Sequence, residues 1–413
     1  MDPSDLTVLR NEIFKRIRAK EREFKNGLLQ LEGEKFRHKF EALFRIVLKE
    51  NRIKLPPEEQ REIFEDIMSF FLGLGPLDKL LKDDSISEIM VNGPFQVFVE
   101  KQGRLEITDV AFSDQAQLEL FIERILSPVG RRVTEYEPFV DARLYDGSRV
   151  NVVRSPVSGI GPVLTIRKFL HRILSVEELV RMGSVSKEAV MFLKACVGSR
   201  RNILVSGGAG AGKTTLLNVL FSFVPSTERV VTIEDTRELR VRHFHTVPLE
   251  TRPASIEGKG EISIRGLFRN ALHMRPDRVI VGEVRADEVL DMVQAMNTGH
   301  EGSMTTLHAN SPLEALDRIE ILALMAKANI SSEVMSRQIR NALDLIIQLS
   351  RFPDGSRRVT AISEVLKGSD YALNDIFLWR HGEERLEKTG NLPSYSRLLE
   401  ERCSYDCRTL KAQ

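Results

Sequence analysis

A glycine-rich segment followed by a lysine and two hydroxyl side chains offers the clearest chemistry in this chain. Residues 207–214 read GGAGAGKT, which matches the phosphate-loop pattern G-x-x-x-x-G-K-[ST]. Glycines let successive backbone N–H groups turn toward phosphate oxygens, and a helix that begins there adds the partial positive charge of its N-terminus. We therefore expect nucleotide contacts from Gly207, Gly208, Ala209, Gly210, Ala211, Gly212, Lys213, Thr214 and Thr215.

The loop predicts ATP with Mg²⁺ as the ligand. In such loops the lysine reaches the β- and γ-phosphates and the following hydroxyl ligates Mg²⁺, roles that fall here on Lys213 and Thr214. A glycine-rich turn without a ligand is the competing interpretation. It is disfavoured because a predicted strand, residues 202–206, precedes the loop and a helical run, residues 214–221, follows it.

Carboxylates follow two apolar strands farther along the chain. The predicted strand 229–233 leads into Glu234 and Glu238, and the predicted strand 279–281 leads into Glu283. The C-terminal ends of strands in an open α/β sheet form the ligand crevice. Glu283 is the first choice for the general base, with Glu234 and Glu238 as alternatives, and Glu234 and Glu283 are candidate Mg²⁺ ligands beside Thr214. For Glu234 and Glu238, a polar strand end that caps the next turn explains the residues equally well.

Two histidines flank a further β segment that contains a serine and two threonines. We expect this segment, between His300 and His308, to lie beside the phosphate loop. Both histidines are therefore candidate sensors of the γ-phosphate. The competing interpretation is an ordinary core or surface histidine. Arg285 is a candidate for a structural ion pair near Glu283.

Strands and helices alternate from about residue 185 to residue 369. This alternation predicts an α/β domain with a mostly parallel, doubly wound sheet that is covered by helices on both faces. We assign residues 185–413 to this domain and residues 169–184 to a linker with one short helix. The polar tail after residue 369 gives no clear pattern.

Residues 57–168 predict a separate α+β domain. Its predicted elements are a helix at 58–72, strands at 88–91 and 97–100, a helix from Ser113 to about 126, and β segments at 149–153 and 163–168. Asp146 and Gly147 supply a hairpin turn before the β segment at 149–153.

Residues 1–56 predict a small all-helical region. Two sets of apolar residues fall on helix faces, namely Leu6, Leu9, Ile13 and Ile17, and Phe36, Phe40, Leu43 and Val47. The segment up to Lys54 has 14 Lys/Arg and nine Asp/Glu. Solvated helix faces explain this excess of positive charge, and a docking module for an acidic partner is the alternative.

The overall composition restricts the class of protein. A formal net charge of +1 gives no bias toward nucleic acid or anionic lipid. No apolar run approaches the roughly 18 residues that span a bilayer, and the first residues lack an apolar signal region. We therefore expect a cytoplasmic protein without direct membrane insertion and without a nucleic-acid partner.

The phosphate loop, the two acidic strand ends and the paired histidines, in this order, resemble the secretion traffic ATPase superfamily. Its members drive type II and type IV secretion, type IV pili and archaeal flagella. Within it the chain is most similar to the ATPases of the tight-adherence (Flp) pilus. The matching stretches are MVNG at 90–93, DARLYDGSRVN at 141–151, ETRP at 250–253, EGKGE at 257–261, NAL at 270–272, MRPDR at 274–278 and QAMNTGH at 294–300.

The resemblance covers about residues 60–380 and implies an architecture. It implies a hexameric ring whose protomers have a PAS-like α+β domain followed by a RecA-like motor domain, with ATP bound between the two. Family arginines from the first domain reach toward the phosphates, and the matching positions are Arg149 and Arg167, with Arg143 a weaker match. From the residues alone, surface arginines at a sheet edge remain the alternative.

The expected function is that of a cytoplasmic hexameric ATPase. Its motion would pass to an inner-membrane platform protein and would move pilin into or out of a pilus. The alternatives are a type II or IV secretion ATPase, a RecA-like nucleic-acid translocase, and a nucleotide-sensing scaffold without turnover. The balanced charge and the single tryptophan, Trp379, disfavour the translocase.

Overall fold

The computed structural model describes residues 12–13, 16–17, 34–72, 75–101, 103–169, 174–240, 243–252, 259–326, 330–368, 370–380 and 385–411. Among the residues singled out from the sequence, Leu6, Leu9, the side chain of Phe36 and residues 253–258 lie outside this description. The chain divides into two compact units, Met1–Leu170 and His171–Gln413.

Two helices of the first unit share one core. Helix α1 (Glu34–Glu50) buries Phe40 and Val47, which confirms the predicted apolar face. Helix α2 (Pro57–Leu72) packs Phe64 into the same core, with its ring centroid 5.8 Å from that of Phe40. The sequence assigns α2 to the α+β domain, whereas the structure packs it with the preceding helix.

Among its described residues, the first unit also contains a six-stranded antiparallel sheet and two further α-helices. Its strands are β1 (Ile86–Asn92), β2 (Val97–Lys101), β3 (Arg104–Ile107), β4 (Phe139–Arg143), β5 (Arg149–Val153) and β6 (Val163–Arg167), in the spatial order β3-β2-β1-β6-β5-β4. The helices are α3 (Asp78–Lys82) and α4 (Gln115–Leu126). Leu118 and Phe121 of α4 are buried in one core with Ile89, Val150 and Ile166 of the sheet.

Four of these strands confirm the sequence prediction, and two differ from it. Strands β1, β2, β5 and β6 overlap the predicted segments, but the sequence pattern does not predict β3 and β4. Unlike the other four strands, β3 and β4 contain no buried residue. The predicted start of α4 at Ser113 is wrong by one residue, because Asp114 is the cap and its side chain accepts the backbone N–H of Gln117 at 2.8 Å.

The second unit contains a nine-stranded sheet. Its strands are β7 (Ile203–Gly207), β8 (Val230–Glu234), β9 (Thr246–Glu250), β10 (Arg278–Val281), β11 (Met304–Leu307), β12 (Leu345–Arg351), β13 (Arg357–Val365), β14 (Leu373–Arg380) and β15 (Arg385–Lys388). Its helices are α5 (Val176–Arg181), α6 (Lys187–Gly198), α7 (Lys213–Ser222), α8 (Ile264–Leu272), α9 (Glu288–Asn297), α10 (Pro312–Met325), α11 (Ser332–Ala342) and α12 (Ser396–Cys403).

The strand order in this sheet is β15-β14-β13-β12-β7-β11-β10-β8-β9. All neighbours from β12 to β9 are parallel, which confirms the mostly parallel sheet expected from the alternating pattern. Strands β13, β14 and β15 are antiparallel. Strands β14 and β15 lie in the tail for which the sequence gives no clear pattern.

Helices cover both faces of this sheet. Alternate residues of β7 enter two different cores, with Ile203 and Val205 in one and Leu204 in the other. Phe192 of α6 belongs to the first core, and Val293 of α9 to the second. A strand buried on both faces explains the continuous apolar run before the phosphate loop. Within the described residues, no helix is long and apolar enough to cross a bilayer.

Candidate functional site

The candidate site lies where four parallel strands of the second sheet end. Strands β7, β11, β10 and β8 are consecutive neighbours, so their C-terminal ends share one edge. The glycine-rich loop leaves β7 at this edge and leads into α7. The expected candidates lie at these ends: His308 follows β11, Glu283 follows β10 after Gly282, and Glu234 is the last residue of β8. The predicted crevice is therefore built from one end of a single sheet.

Glycines in the loop meet two separate requirements. Gly210 and Gly212 have φ angles of +67° and +94°, a region that disfavours side chains. Gly207 has a different constraint, because a Cβ there would lie 2.6 Å from the carbonyl oxygen of Leu349 on β12. The loop therefore requires glycine both for its turn and for its contact with the neighbouring strand.

Lys213 begins α7 and is almost fully buried. Its Nζ donates to the carbonyl oxygens of Gly207 at 3.0 Å and Gly208 at 2.9 Å. The same Nζ lies 3.2 Å from Nδ1 of His308. The ammonium group is thus held inside the curve of the loop.

His308 links Lys213 to the carboxylate after β10. Its Nε2 lies 2.9 Å from Oε1 of Glu283, and Oε2 of Glu283 accepts a hydrogen bond from Nη2 of Arg285 at 2.6 Å. Arg285 also lies 3.4 Å from a carboxylate oxygen of Asp235, which follows β8. The arginine therefore does form the ion pair that the sequence suggested, and it does so with the candidate base.

Neighbouring charges set the protonation of this cluster. Burial would raise the pKa of the Glu283 carboxyl, but the hydrogen bond from Arg285 and the nearby positive charges hold that pKa below its ordinary value. Burial and the charge of Lys213 lower the pKa of His308, although Glu283 opposes this. Near neutral pH, Glu283 is therefore ionised and His308 is neutral.

The neutral tautomer of His308 follows from its neighbours. An ammonium group can only donate a hydrogen bond, and a carboxylate can only accept one. The tautomer with hydrogen on Nε2 places a donor toward Glu283 and leaves Nδ1 to face Lys213.

Glu234 caps the turn after β8. Its Oε1 accepts the backbone N–H groups of Glu238 and Leu239, both at 2.9 Å. The capping interpretation is therefore correct for Glu234, and this bond also fixes the backbone position of Glu238. Burial raises the pKa of Glu234 to about 7 against these two hydrogen bonds. Its Oε2 is buried and has no hydrogen-bond partner.

Gly282 makes room for Glu234. A Cβ on Gly282 would lie 2.9 Å from Cγ of Glu234. The glycine between β10 and Glu283 is thus required by the carboxylate side chain from the neighbouring strand.

The oxygen groups at this edge fit Mg²⁺. The hydroxyl of Thr214 and the carboxylates of Glu234 and Glu283 are hard oxygen ligands, and the orphaned Oε2 of Glu234 offers an unused acceptor. Within the described part of the chain, no group of three or more His, Cys, Asp and Glu is placed to hold a metal ion. Proteins usually bind Mg²⁺ through one or two carboxylates together with substrate phosphates.

The structure does not bring His300 to this cluster. β11 runs parallel to β7, so the residue after β11 meets the phosphate loop and the residues before it lie at the opposite edge. His308 follows the strand and His300 precedes it, in the turn where Ser303 Oγ donates to the His300 carbonyl oxygen at 2.7 Å. The expected γ-phosphate contact from His300 therefore finds no support within this unit.

The three candidate arginines lie side by side in the first unit. Arg149 on β5 pairs with Arg143 on β4 and with Arg167 on β6. Residues in register on adjacent strands share a face, and this face is opposite to the buried Val150 and Ile166. They form one positively charged row across three strands.

Two arginines that the sequence pattern does not single out lie beside the phosphate loop. A Cβ on Gly210 would lie 3.6 Å from Nη1 of Arg351, and a Cβ on Gly212 would lie 3.5 Å from Cδ of Arg357. Both arginines flank the turn that joins β12 and β13. The dipeptide Asp354-Gly355 between two apolar runs was the available signal for this hairpin.

A central parallel strand that leads through a glycine-rich loop into a helix, with a carboxylate and a histidine after the neighbouring strands, defines a protein of the phosphate-loop class. More narrowly, the chain belongs to the type II/IV secretion system protein family, whose family model matches residues 72–376.

Several individual proteins are similar to large parts of this chain. A putative conjugal transfer protein of Mycobacterium tuberculosis is 35% identical over 313 residues, which cover 74% of this chain and 88% of that protein. The type IV secretion system protein VirB11 of Bartonella henselae is 29% identical over 331 residues, covering 70% and 91%. The crystal structure of the VirB11 ATPase from Brucella suis, in complex with sulphate, is 25% identical, covers 70% of this chain and 91% of that chain, and has a TM-score of 0.38.

Proposed function

We propose that this chain is an ATPase that powers a type II/IV secretion or pilus machine. The observation that carries the proposal is the line of contacts from Lys213 through His308 to Glu283. It combines a phosphate-binding cation and a candidate base at the mouth of a phosphate loop. Membership of the type II/IV secretion system protein family supports a motor of this kind.

Each residue of the cluster has a role in the proposed reaction. Lys213 exchanges the loop carbonyls for oxygens of the β- and γ-phosphates, and the N–H groups of residues 207–215 surround them. Glu283 accepts a proton from the attacking water, and Glu238 remains the alternative base on the neighbouring turn. Thr214, Glu234 and Glu283 would hold Mg²⁺, which supplies neutralisation of phosphate charge. His300 has no role in this scheme.

Steady-state phosphate release from ATP by the purified full chain tests the activity. Lys213→Ala should reduce this release to background, because the buried ammonium group is the nearest cation inside the loop. Lys194→Ala is the matched control, since Lys194 is exposed on α6 and is not part of the loop. ATP-independent or absent phosphate release by the wild-type chain would refute the proposal.

The arginine row of the first unit is proposed to stabilise charge on the phosphates during hydrolysis. Its support is the clustering of Arg143, Arg149 and Arg167 on one face together with their match to the family pattern. Arg149→Ala and Arg167→Ala should each lower the rate of phosphate release by the full chain. The melting temperature of each variant should equal that of the wild-type chain. Arg104→Ala is the control on β3, outside this row. Unchanged rates in both variants would remove the arginines from the mechanism.

We further propose a cytoplasmic homohexamer that acts through an inner-membrane platform on the tight-adherence (Flp) pilus and its pilin. The support is the set of matching stretches, such as residues 141–151 and 294–300. The names of the Mycobacterium and Bartonella relatives favour conjugation or type IV secretion as the rival machine.

Two measurements separate these assignments. The molar mass of the chain with an ATP analogue, measured by light scattering, should be that of six subunits. A deletion strain should lose surface pili and regain them with the wild-type gene, but not with the Lys213→Ala gene. Normal piliation together with a loss of conjugation or protein secretion would favour the rival machine.

A further inference from the structure

We propose that the hairpin formed by β12 and β13 binds the base of the nucleotide through Arg351 and Arg357. The proposal rests on the proposed ATP site and extends it to the nucleoside end of the ligand. The hairpin belongs to the same unit as the phosphate loop, so the site would be built from one sheet.

The position of the hairpin follows from the strand order. Strand β7, which carries the loop, lies between β11 and β12. The γ-phosphate side of the loop is marked by His308 and Glu283, which follow β11 and β10. A nucleotide that begins with its γ-phosphate on that side extends across the loop toward β12. On the β12 side, the first side chains beyond the loop belong to the β12–β13 hairpin.

The two arginines lie within contact distance of the loop. A Cβ added to Gly210 would lie 3.6 Å from Nη1 of Arg351. A Cβ added to Gly212 would lie 3.5 Å from Cδ of Arg357. They pair with each other in register at the end of the hairpin. Both side chains are exposed at this edge of the unit. They therefore border the space into which a ligand on the loop would extend.

Contacts at its turn and base stabilise the hairpin that carries these arginines. The guanidinium group of Arg358 lies 5.2 Å from the ring centroid of Phe352 and 4.9 Å from that of Trp379. Across the turn, the Phe352 N–H donates to the Ser356 carbonyl oxygen at 2.8 Å. A preformed hairpin loses little conformational entropy when its arginines order on a ligand.

A guanidinium group is better suited to contact a nucleotide base than the ammonium group of a lysine. The group is planar, stays charged and stacks on aromatic rings. Stacking and cation–π contacts are tolerant of base identity, because every base has a π face. We therefore assign Arg351 and Arg357 to contact with the base and its sugar, beyond the phosphates held by the loop.

Binding of ADP and of inorganic pyrophosphate, measured by calorimetry with Mg²⁺, tests this assignment, because only ADP carries the base. The double variant Arg351→Ala/Arg357→Ala should bind ADP about tenfold more weakly, with pyrophosphate affinity unchanged. The corresponding double lysine variant should also lose ADP affinity, since it keeps the charge but not the plane. Arg397→Ala, on α12, is the matched control.

Three results would overturn the assignment. ADP affinity that stays at the wild-type value in the double alanine variant would remove the arginines from the site. An equal loss for ADP and pyrophosphate would show phosphate contacts instead. Full retention by the lysine variant would show that charge alone is needed. A wild-type chain that binds neither ligand would instead refute the proposed ATP site itself.

Discussion

Nε2 of His308 lies 2.9 Å from Oε1 of Glu283, so the residues that follow two neighbouring strands touch at the mouth of the loop. The histidine also faces Lys213, which makes it the link between the cation inside the loop and the candidate base. Glu283 is bound on its other oxygen by Arg285. The carboxylate is thus hydrogen-bonded by Arg285 and lies against the His308 ring.

Glu283→Gln should separate nucleotide binding from hydrolysis. Glutamine keeps the size of the side chain but cannot take up a proton from the attacking water. Loss of a general base reduces a rate by about 10²–10⁴-fold. We therefore expect phosphate release to fall by at least about 100-fold, while ADP affinity measured by calorimetry changes little.

Glu301→Gln is the control for this substitution, because Glu301 is exposed in the turn before β11. Hydrolysis at the wild-type rate by Glu283→Gln would transfer the role of base to Glu238 or Glu234. Parallel substitution of Glu238 by glutamine would then identify which of the two carboxylates is needed.

His308 should control the acid side of the pH dependence. Its pKa lies below the ordinary value of 6.5 through burial and the charge of Lys213. As the pH falls through this lowered pKa, the ring gains a proton on the nitrogen that faces Lys213, and the contact becomes repulsive. The rate of phosphate release of the wild-type protein should therefore decline in acid, at a lower pH than an unperturbed histidine would give.

His308→Gln tests this assignment, because an amide offers one donor and one acceptor but does not titrate. The variant should keep part of the activity and lack the acid decline, whereas His308→Leu should be nearly inactive. The exposed His273 provides the control substitution, His273→Gln. An acid decline that persists in His308→Gln would belong to another group.

The parts of the site that the sequence predicts are those with local chemistry. The loop, Lys213, Glu283 and His308 each follow a strand whose apolar run marks it, so their common edge follows from the parallel order of strands. His300 is misplaced because flanking a strand says nothing about which end meets the loop. Chain direction decides this, since β11 and β7 are parallel.

Other features depend on pairing that a single sequence does not display. Arg351 and Arg357 reach the loop only because β12 lies next to β7, and that neighbour relation joins residues about 140 positions apart. Strand β4 has no fully buried residue, so its apolar residues do not mark it as a core strand. The packing of α2 on α1 depends on contacts between Phe40 and Phe64, which neither helix's own periodicity specifies.

Glu234 should make stability depend on pH. Its folded pKa of about 7 lies above its ordinary value of 4.5, so folding favours the protonated form. The resulting stabilisation is complete below the unfolded pKa and is lost as the pH rises through about 7. The shift corresponds to a free energy on the order of 3 kcal/mol.

Glu234→Gln removes the titration and keeps an oxygen that can accept the N–H groups of Glu238 and Leu239. The melting temperature of the variant, relative to that of the wild type, should rise as the pH is increased through 7. A difference in melting temperature that is equal well below and well above pH 7 would show that Glu234 does not change its protonation there.

Gly282→Ala should destabilise the protein through Glu234 alone. The new methyl group would lie 2.9 Å from Cγ of Glu234, a contact that requires the carboxylate side chain to move away from its turn. Overpacking of this kind costs about 1–3 kcal/mol in the free energy of unfolding. Denaturant unfolding of the second unit within the full chain would measure it.

A double-mutant cycle with Glu234→Ala shows whether the proposed clash is the cause. Glu234→Ala removes Cγ, so adding Gly282→Ala to that background should cost much less than it does in the wild type. Gly299→Ala is a poor control because its φ is +96°, whereas Gly208→Ala has open space at its Cβ position and serves as the matched glycine. An equal cost of Gly282→Ala in both backgrounds would mean that the glycine is required by the backbone and not by its neighbour.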